Sequence, residues 1–177
     1  MKPHKQYDIA FVGLKSGKHE FDYDIDDSFF AEYGTPDFSN SRLHIRLLFE
    51  KQNRFFLLKF EITGQVTVNC DRCGDPFTMP VWDEFKLVVK LVEDPGTTQE
   101  EDPDVIYISS NESLLNVADW IYEFASLSIP MQRVHPDKDR GVSGCNQKAL
   151  DMLKGMQEKG KTTNNPIWKD LEKFKNN

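Results

Sequence analysis

The sequence predicts a mainly β fold of the α+β class: a curved antiparallel sheet or open barrel-like core, one packed helix and a C-terminal helical extension. Three stretches carry that expectation. From Lys18 to Ile25 the residues alternate, with His19, Phe21, Tyr23 and Ile25 on one face and Lys18, Glu20, Asp22 and Asp24 on the other. A period of two marks a strand with one face buried. Leu43, Ile45, Leu47 and Phe49 repeat it before Lys51-Gln52-Asn53, and Phe56, Leu58, Phe60 and Ile62 repeat it after, which reads as a hairpin. Only beyond residue 110 does the spacing turn helical, at Leu114, Val117, Trp120, Ile121 and Phe124.

The remaining elements follow in order. Tyr7 to Leu14 is an apolar run read as a strand, and Lys15-Ser16-Gly17 turns it into the next one. Asp26 to Tyr33, with Phe29 and Phe30, predicts a short helical turn that lids the core, and Gly34 to Ser41 predicts a loop. Gly64 is expected to end the return strand before Val66 and Val68 lead into Cys70. Phe77 to Val92 forms the following strand, with Phe85, Leu87, Val89 and Leu91 inward. Residues 93–104 make an acidic, solvated connector, and Asp104 to Ser109 supplies one more strand. The helix is expected to be capped by Ser110 or Asn111 and stopped by Pro130, because a residue before proline is steered away from helical angles. A loop from Met131 to Asn146 leads to a short helix with Ala149, Leu150, Leu153 and Met156 on one side. Glu158 to Asn164 reads as a linker, and Asn165-Pro166 opens a last helix presenting Ile167, Trp168, Leu171 and Phe174. The expected organisation is a mainly antiparallel β domain with one helix over residues 1–130. Residues 131–177 then form a Cys/His loop and helical extension.

Charge and cysteine usage narrow the function. The chain of 177 residues has a formal net charge of −7, which argues against a protein that coats nucleic acid. Its distribution is uneven. Residues 131–177 hold ten Lys or Arg against six Asp or Glu, while residues 1–130 hold twelve against twenty-three. Direct contact with RNA phosphate would therefore come through Arg133, Lys138, Arg140, Lys148 and Lys154, with Arg72 as a further partner contact. No run approaches the roughly 18 apolar residues of a membrane span. No signal-peptide stretch separates Met1-Lys2-Pro3-His4-Lys5-Gln6 from Asp8, so a cytoplasmic location is expected. Three cysteines, two of them in a Cys-x-x-Cys pair, fit a metal or redox site better than a disulfide framework.

Cys70-Asp71-Arg72-Cys73-Gly74 falls where two strands must reverse. Thiolates at this spacing can grip one tetrahedral zinc, and the following glycine allows a tight knuckle. His135 and Cys145 can complete a Cys₃His structural site, joining the hairpin to the C-terminal segment. Packed cysteines without a metal remain open as a reading. Thiol redox chemistry fits least, since thioredoxin-like motifs open a helix in a βαβ context. No phosphate-cradling Gly-rich loop, Gly-x-Ser-x-Gly or His-Glu-x-x-His is present. His19 sits on an apolar strand face, and Asp26-Asp27 at a turn reads as a solvated pair rather than an acid–base couple.

The order of parts resembles the YceD family of bacterial large ribosomal RNA subunit accumulation proteins. The resemblance rests on Cys70-Asp71-Arg72-Cys73 after Ile62-Thr63-Gly64-Gln65-Val66, the acidic loop, and Leu127-Ser128-Ile129-Pro130 at a helix end. The closing Asn165-Pro166-Ile167-Trp168-Lys169-Asp170-Leu171 is also similar. His135 and a lone Cys145 stand where a second cysteine pair is expected. The resemblance implies a non-enzymatic cytoplasmic factor for ribosome assembly, acting on a protein or on pre-ribosomal RNA. The alternatives are a zinc-stabilised interaction module without an RNA role and a small thiol oxidoreductase.

Overall fold

A strand with apolar residues at alternate positions needs something to cover that face. The structure, a computed structural model, describes residues 5–97, 105–138 and 143–162. Strands β2 (Gly17–Asp26), β3 (Phe38–Lys51), β4 (Phe55–Asn69), β5 (Pro76–Val92) and β6 (Val105–Ser109) form one sheet in that order. Strands β1 (Asp8–Ile9) and β7 (Leu115–Asn116) form a separate antiparallel pair. The chain divides into two compact units, Met1–Val68 with Thr78–Met131, and Asn69–Phe77 with Gln132–Asn177.

In the first unit the sheet buries one face. The antiparallel register sets Ile45 opposite Ile62, Leu47 opposite Phe60 and Phe49 opposite Leu58. None of the six is more than 1 % exposed. Burying a side chain of this size contributes about 1.5–3 kcal/mol. The cover comes from α1 (Asp27–Ala31), which brings Phe29 and Phe30, and α2 (Ala118–Leu127), which brings Ile121, Phe124 and Ala125. Phe124 stacks on Phe85 with ring centroids 4.6 Å apart and meets Phe60 edge-on at 5.1 Å. The architecture is the mainly β, α+β one expected, as an open sheet rather than a barrel. It is also mixed: β6 runs parallel to β5, from Val105 opposite Val88 to Ser109 opposite Val92. A parallel neighbour needs a connection of about a dozen residues, and residues 93–104 supply that length.

Several boundaries differ from the expectation. Of Tyr7 to Leu14 only Asp8–Ile9 is strand, because Phe11–Gly13 winds into a 3₁₀ turn. Leu114 does not start a helix: Leu115 pairs with Ile9, and the Asn116 side chain accepts the Ala118 N–H at 3.0 Å. Tertiary pairing thus moves the cap several residues past Ser110. In the second unit α3 (Gln147–Thr162) runs through most of the expected linker, and Leu153 and Met156 are exposed on it. The helix expected after Pro166 lies outside the described residues. Among the described residues no helix is long and apolar enough to cross a membrane.

The expected loop before Ser41 and the expected break at Gly64 are one structural device. Strand β3 begins at Phe38, and its pairing with β4 shifts between Ser39 and Arg42, where an irregularity absorbs an extra residue. Gly64 lies within β4 at φ +145, and a Cβ there would sit 2.1 Å from the Arg42 carbonyl oxygen. Only glycine lets the two backbones approach so closely. Asn40 takes φ 49 in the same irregularity. Asp27 latches it: its carboxylate accepts the Asn40 N–H at 2.9 Å, the Ser41 N–H at 2.8 Å and the Ser41 hydroxyl. Asp26 accepts the Ser28 N–H at 2.9 Å as the cap of α1. The acidic pair is therefore structural rather than merely solvated.

The Ser41 hydroxyl holds the Asp27 carboxyl below its ordinary value, against a smaller opposing push from burial, and the Ser41 and Asn40 N–H groups add to it. A carboxyl depressed on folding contributes stability above its unfolded value of about 3.9, and that contribution is lost as pH falls through the folded value. Asp27→Asn should cost about 1 kcal/mol at pH 7, and wild type and variant should begin to converge below about pH 4 and meet once pH is below the depressed folded value. Urea unfolding midpoints across that range check both.

Candidate metal centre

The centre lies within the second unit and starts from a turn. After β4 the chain reverses over residues 70–75. The Cys70 N–H donates to the Asp75 carbonyl at 2.9 Å, and the Gly74 N–H to the Cys70 carbonyl at 2.8 Å. Gly74 takes φ +78, in the left-handed region that side chains disfavour. The segment at Arg133 is clasped to this turn by a reciprocal pair of hydrogen bonds. The Asp71 N–H donates to the Arg133 carbonyl at 2.7 Å, and the Arg133 N–H to the Asp71 carboxylate at 2.6 Å. The Asn146 amide donates to the Asp75 carboxylate at 3.0 Å.

This clasp brings all four expected ligands together. One donor atom each from Cys70, Cys73, His135 and Cys145 lies within 4.8 Å of every other. The Cys70 and Cys145 sulfurs are 3.7 Å apart, and Cys73 Sγ is 3.4 Å from His135 Nδ1. A tetrahedral ion with bonds of about 2.3 Å to sulfur and about 2.0 Å to nitrogen needs edges of roughly 3.8 Å and 3.5 Å. The two short separations match. The residues thus form a cluster able to chelate one metal ion, with all four positions filled by protein.

The surroundings support that role. Cys70 and Cys145 are buried, and Cys73 is half-buried. Burial pushes the Cys70 thiol up, but the N–H groups of His135, Cys73 and Arg72, with the His135 side chain, outweigh it and bring the thiol down to about 6. At Cys145 the Ser143 side chain pulls down, yet burial and the neighbouring Cys70 and Cys73 win and raise it. The His135 ring leans on Phe77, centroids 4.6 Å apart.

Reading the sequence for ligands missed the residues that assemble them. Asp71 and Asp75 flank the thiols, and Asn146 follows Cys145 directly, so proximity was their only signal. Gly144 had none. A Cβ there would sit 2.2 Å from the Pro136 carbonyl oxygen and 3.1 Å from His135 Cβ. Of the expected partner cations, Arg72, Lys138, Lys148 and Lys154 are exposed and Arg133 is half-buried. Arg140 lies outside the described residues.

Gly144→Ala should force residues 135–136 away from the turn. Amide hydrogen exchange should then show faster exchange at Asp71 and Arg133, whereas a Gly155→Ala control, which meets nothing within 4 Å, should leave both unchanged.

Residues 58–175 match the family described as "Large ribosomal RNA subunit accumulation protein YceD". No curated protein and no solved structure matches the chain. The family match covers well over half of the 177 residues, including all four Cys and His ligands, and the chain belongs to that family.

Proposed function

We propose that this YceD-family chain is a non-enzymatic accessory factor for large-subunit ribosomal RNA accumulation in the bacterial cytoplasm, acting by binding a protein or RNA partner during ribosome assembly. The observation that carries this reading is the family match over residues 58–175. The closed donor set agrees with it, because a catalytic metal site keeps one position open for water or substrate. If the reading holds, deleting the gene lowers large-subunit relative to small-subunit ribosomal RNA, and the protein co-sediments with pre-ribosomal particles. An unchanged ratio at all growth temperatures, with the protein confined to the top of the gradient, would leave a zinc-stabilised interaction module instead.

Cys70, Cys73, His135 and Cys145 would hold one structural zinc. Supporting this are the soft donors, their spacing and the N–H groups directed at Cys70. Gently purified protein should carry close to one zinc per chain, and chelation should lower its melting temperature, since a ligand of the folded state stabilises it by mass action. Elemental analysis finding no zinc would leave the cysteines as packed thiols. A thiol oxidoreductase is the weaker reading, because the Cys-x-x-Cys pair sits in the turn between two strands rather than opening a helix.

The charge distribution favours a basic protein as the partner. The acidic excess lies in residues 1–130, whereas RNA contact would depend on Arg133, Lys138, Arg140, Lys148 and Lys154, with Arg72 beside the cluster. With so few cations, any RNA affinity should be modest and fall with salt at a shallow slope.

A further inference from the structure

The sheet has one long unprotected edge. Strand β2 spans ten residues and, among the described residues, pairs only with β3. In an antiparallel pair, alternate residues direct their N–H and C=O away from the neighbour, so roughly half of β2 points its backbone outward. Among the described residues, none of those outward groups has a backbone partner. Such an edge is a template for another strand, and proteins usually blunt it with proline, a bulge, an inward charge or charged side chains along the strand. From Lys18 to Ile25 there is no proline, bulge or inward charge, and the exposed charges are one lysine against three carboxylates, which repel an acidic strand and admit a basic one.

The side chains state what the template accepts. Glu20, Asp22 and Asp24 stand exposed on one face. Arg46 answers Glu20 at 2.7 Å, but Asp22 and Asp24 share a single histidine, His44, at 3.3 and 2.8 Å. With His44 neutral, Lys18, Glu20, Asp22, Asp24 and Arg46 together leave the row with a net negative charge. On the other face Phe21 and Tyr23 are only half-buried, so the apolar surface is unfinished at this edge. A second copy of β2 would set carboxylates against carboxylates, which is destabilising.

We propose that the outer edge of β2 docks an extended basic segment of a protein partner, which adds to the sheet as a further strand. Its Lys or Arg residues would face Glu20, Asp22 and Asp24, and its alternate apolar residues would finish the cover over Phe21 and Tyr23. Backbone hydrogen bonds supply affinity in this mode, and the alternating side chains supply specificity. The inference deepens the protein-partner reading and rests on it for the kind of partner.

The test uses the full chain and a fluorescent, acetylated decapeptide of alternating Lys and Val. Anisotropy should show binding that weakens with salt, and amide exchange should slow within β2. Asp22→Lys combined with Asp24→Lys should weaken binding at least tenfold. So should N-methylation of the peptide at alternate residues, which blocks the strand bonds and leaves the protein untouched. Protection outside β2, indifference to N-methylation, no binding at millimolar peptide in low salt, or a dimer formed through β2 would each overturn the proposal. Ribosomal co-sedimentation that survives in the double variant would sink the edge and spare the assembly role. Peptide binding without co-sedimentation would do the reverse.

Discussion

Register on β3 and β4 governs the first unit. Side chains alternate with a period of two, so a slip by one residue would turn Ile45, Leu47, Phe49, Leu58, Phe60 and Ile62 out to solvent together. No other pairing keeps that face dry beneath Phe30 and Ile121, both fully buried. Such a strict register leaves the sheet little freedom to bend, and the extra residue between Ser39 and Arg42 has to be taken up locally. Asp27, at the start of α1, binds the irregular backbone, and Gly64 gives it room from β4. Two polar or small residues thus make an otherwise uniform apolar pairing geometrically possible.

The second unit solves its stability differently. Among its described residues only Cys70 and Cys145 are buried, so it has almost no apolar core. Small units of this kind generally need a metal or another cross-link to fold. The reciprocal bonds between Asp71 and Arg133, with Asn146 on Asp75, define the geometry but are worth only about 0.5–1.5 kcal/mol each, somewhat more where a charge takes part. That is little against the entropy of ordering a loop. The proposed zinc would supply that stability by cross-linking the four convergent donors.

How much of this was legible in the sequence varied with the physics involved. The sheet was, because period-two burial writes itself into residues 43–49 and 56–62. Both halves of the Cys/His cluster were legible from donor type, although their meeting depends on backbone bonds that no residue type announces. Gly64 misled because glycine signals both a turn and a close backbone approach, and here the approach won. The start of α2 misled for another reason: Leu114 and Val117 fit helical spacing, but Leu115 had a strand partner 106 residues earlier, at Ile9. The parallel β6 was hidden because alternation within a strand says nothing about its direction relative to its neighbour.

The carboxylates of the first unit divide by what they already hold. Asp26 caps α1, Asp27 latches the irregular strand pairing, and Glu61 and Glu84 share Lys59 at 2.7 and 2.9 Å. These charges are committed to the fold, so they add little to any outward field. Asp22 and Asp24 differ, since the side chain in contact with both is an exposed histidine on the neighbouring strand, and Arg46, opposite Asp22, is already bonded to Glu20. A protein that needed only solubility could scatter such charges over loops. Here they stand in register along a strand whose backbone faces open water, beside aromatic rings left half-covered. A net negative charge, an outward-facing backbone and half-covered rings lie along the same ten residues, and a single basic strand would answer the three together.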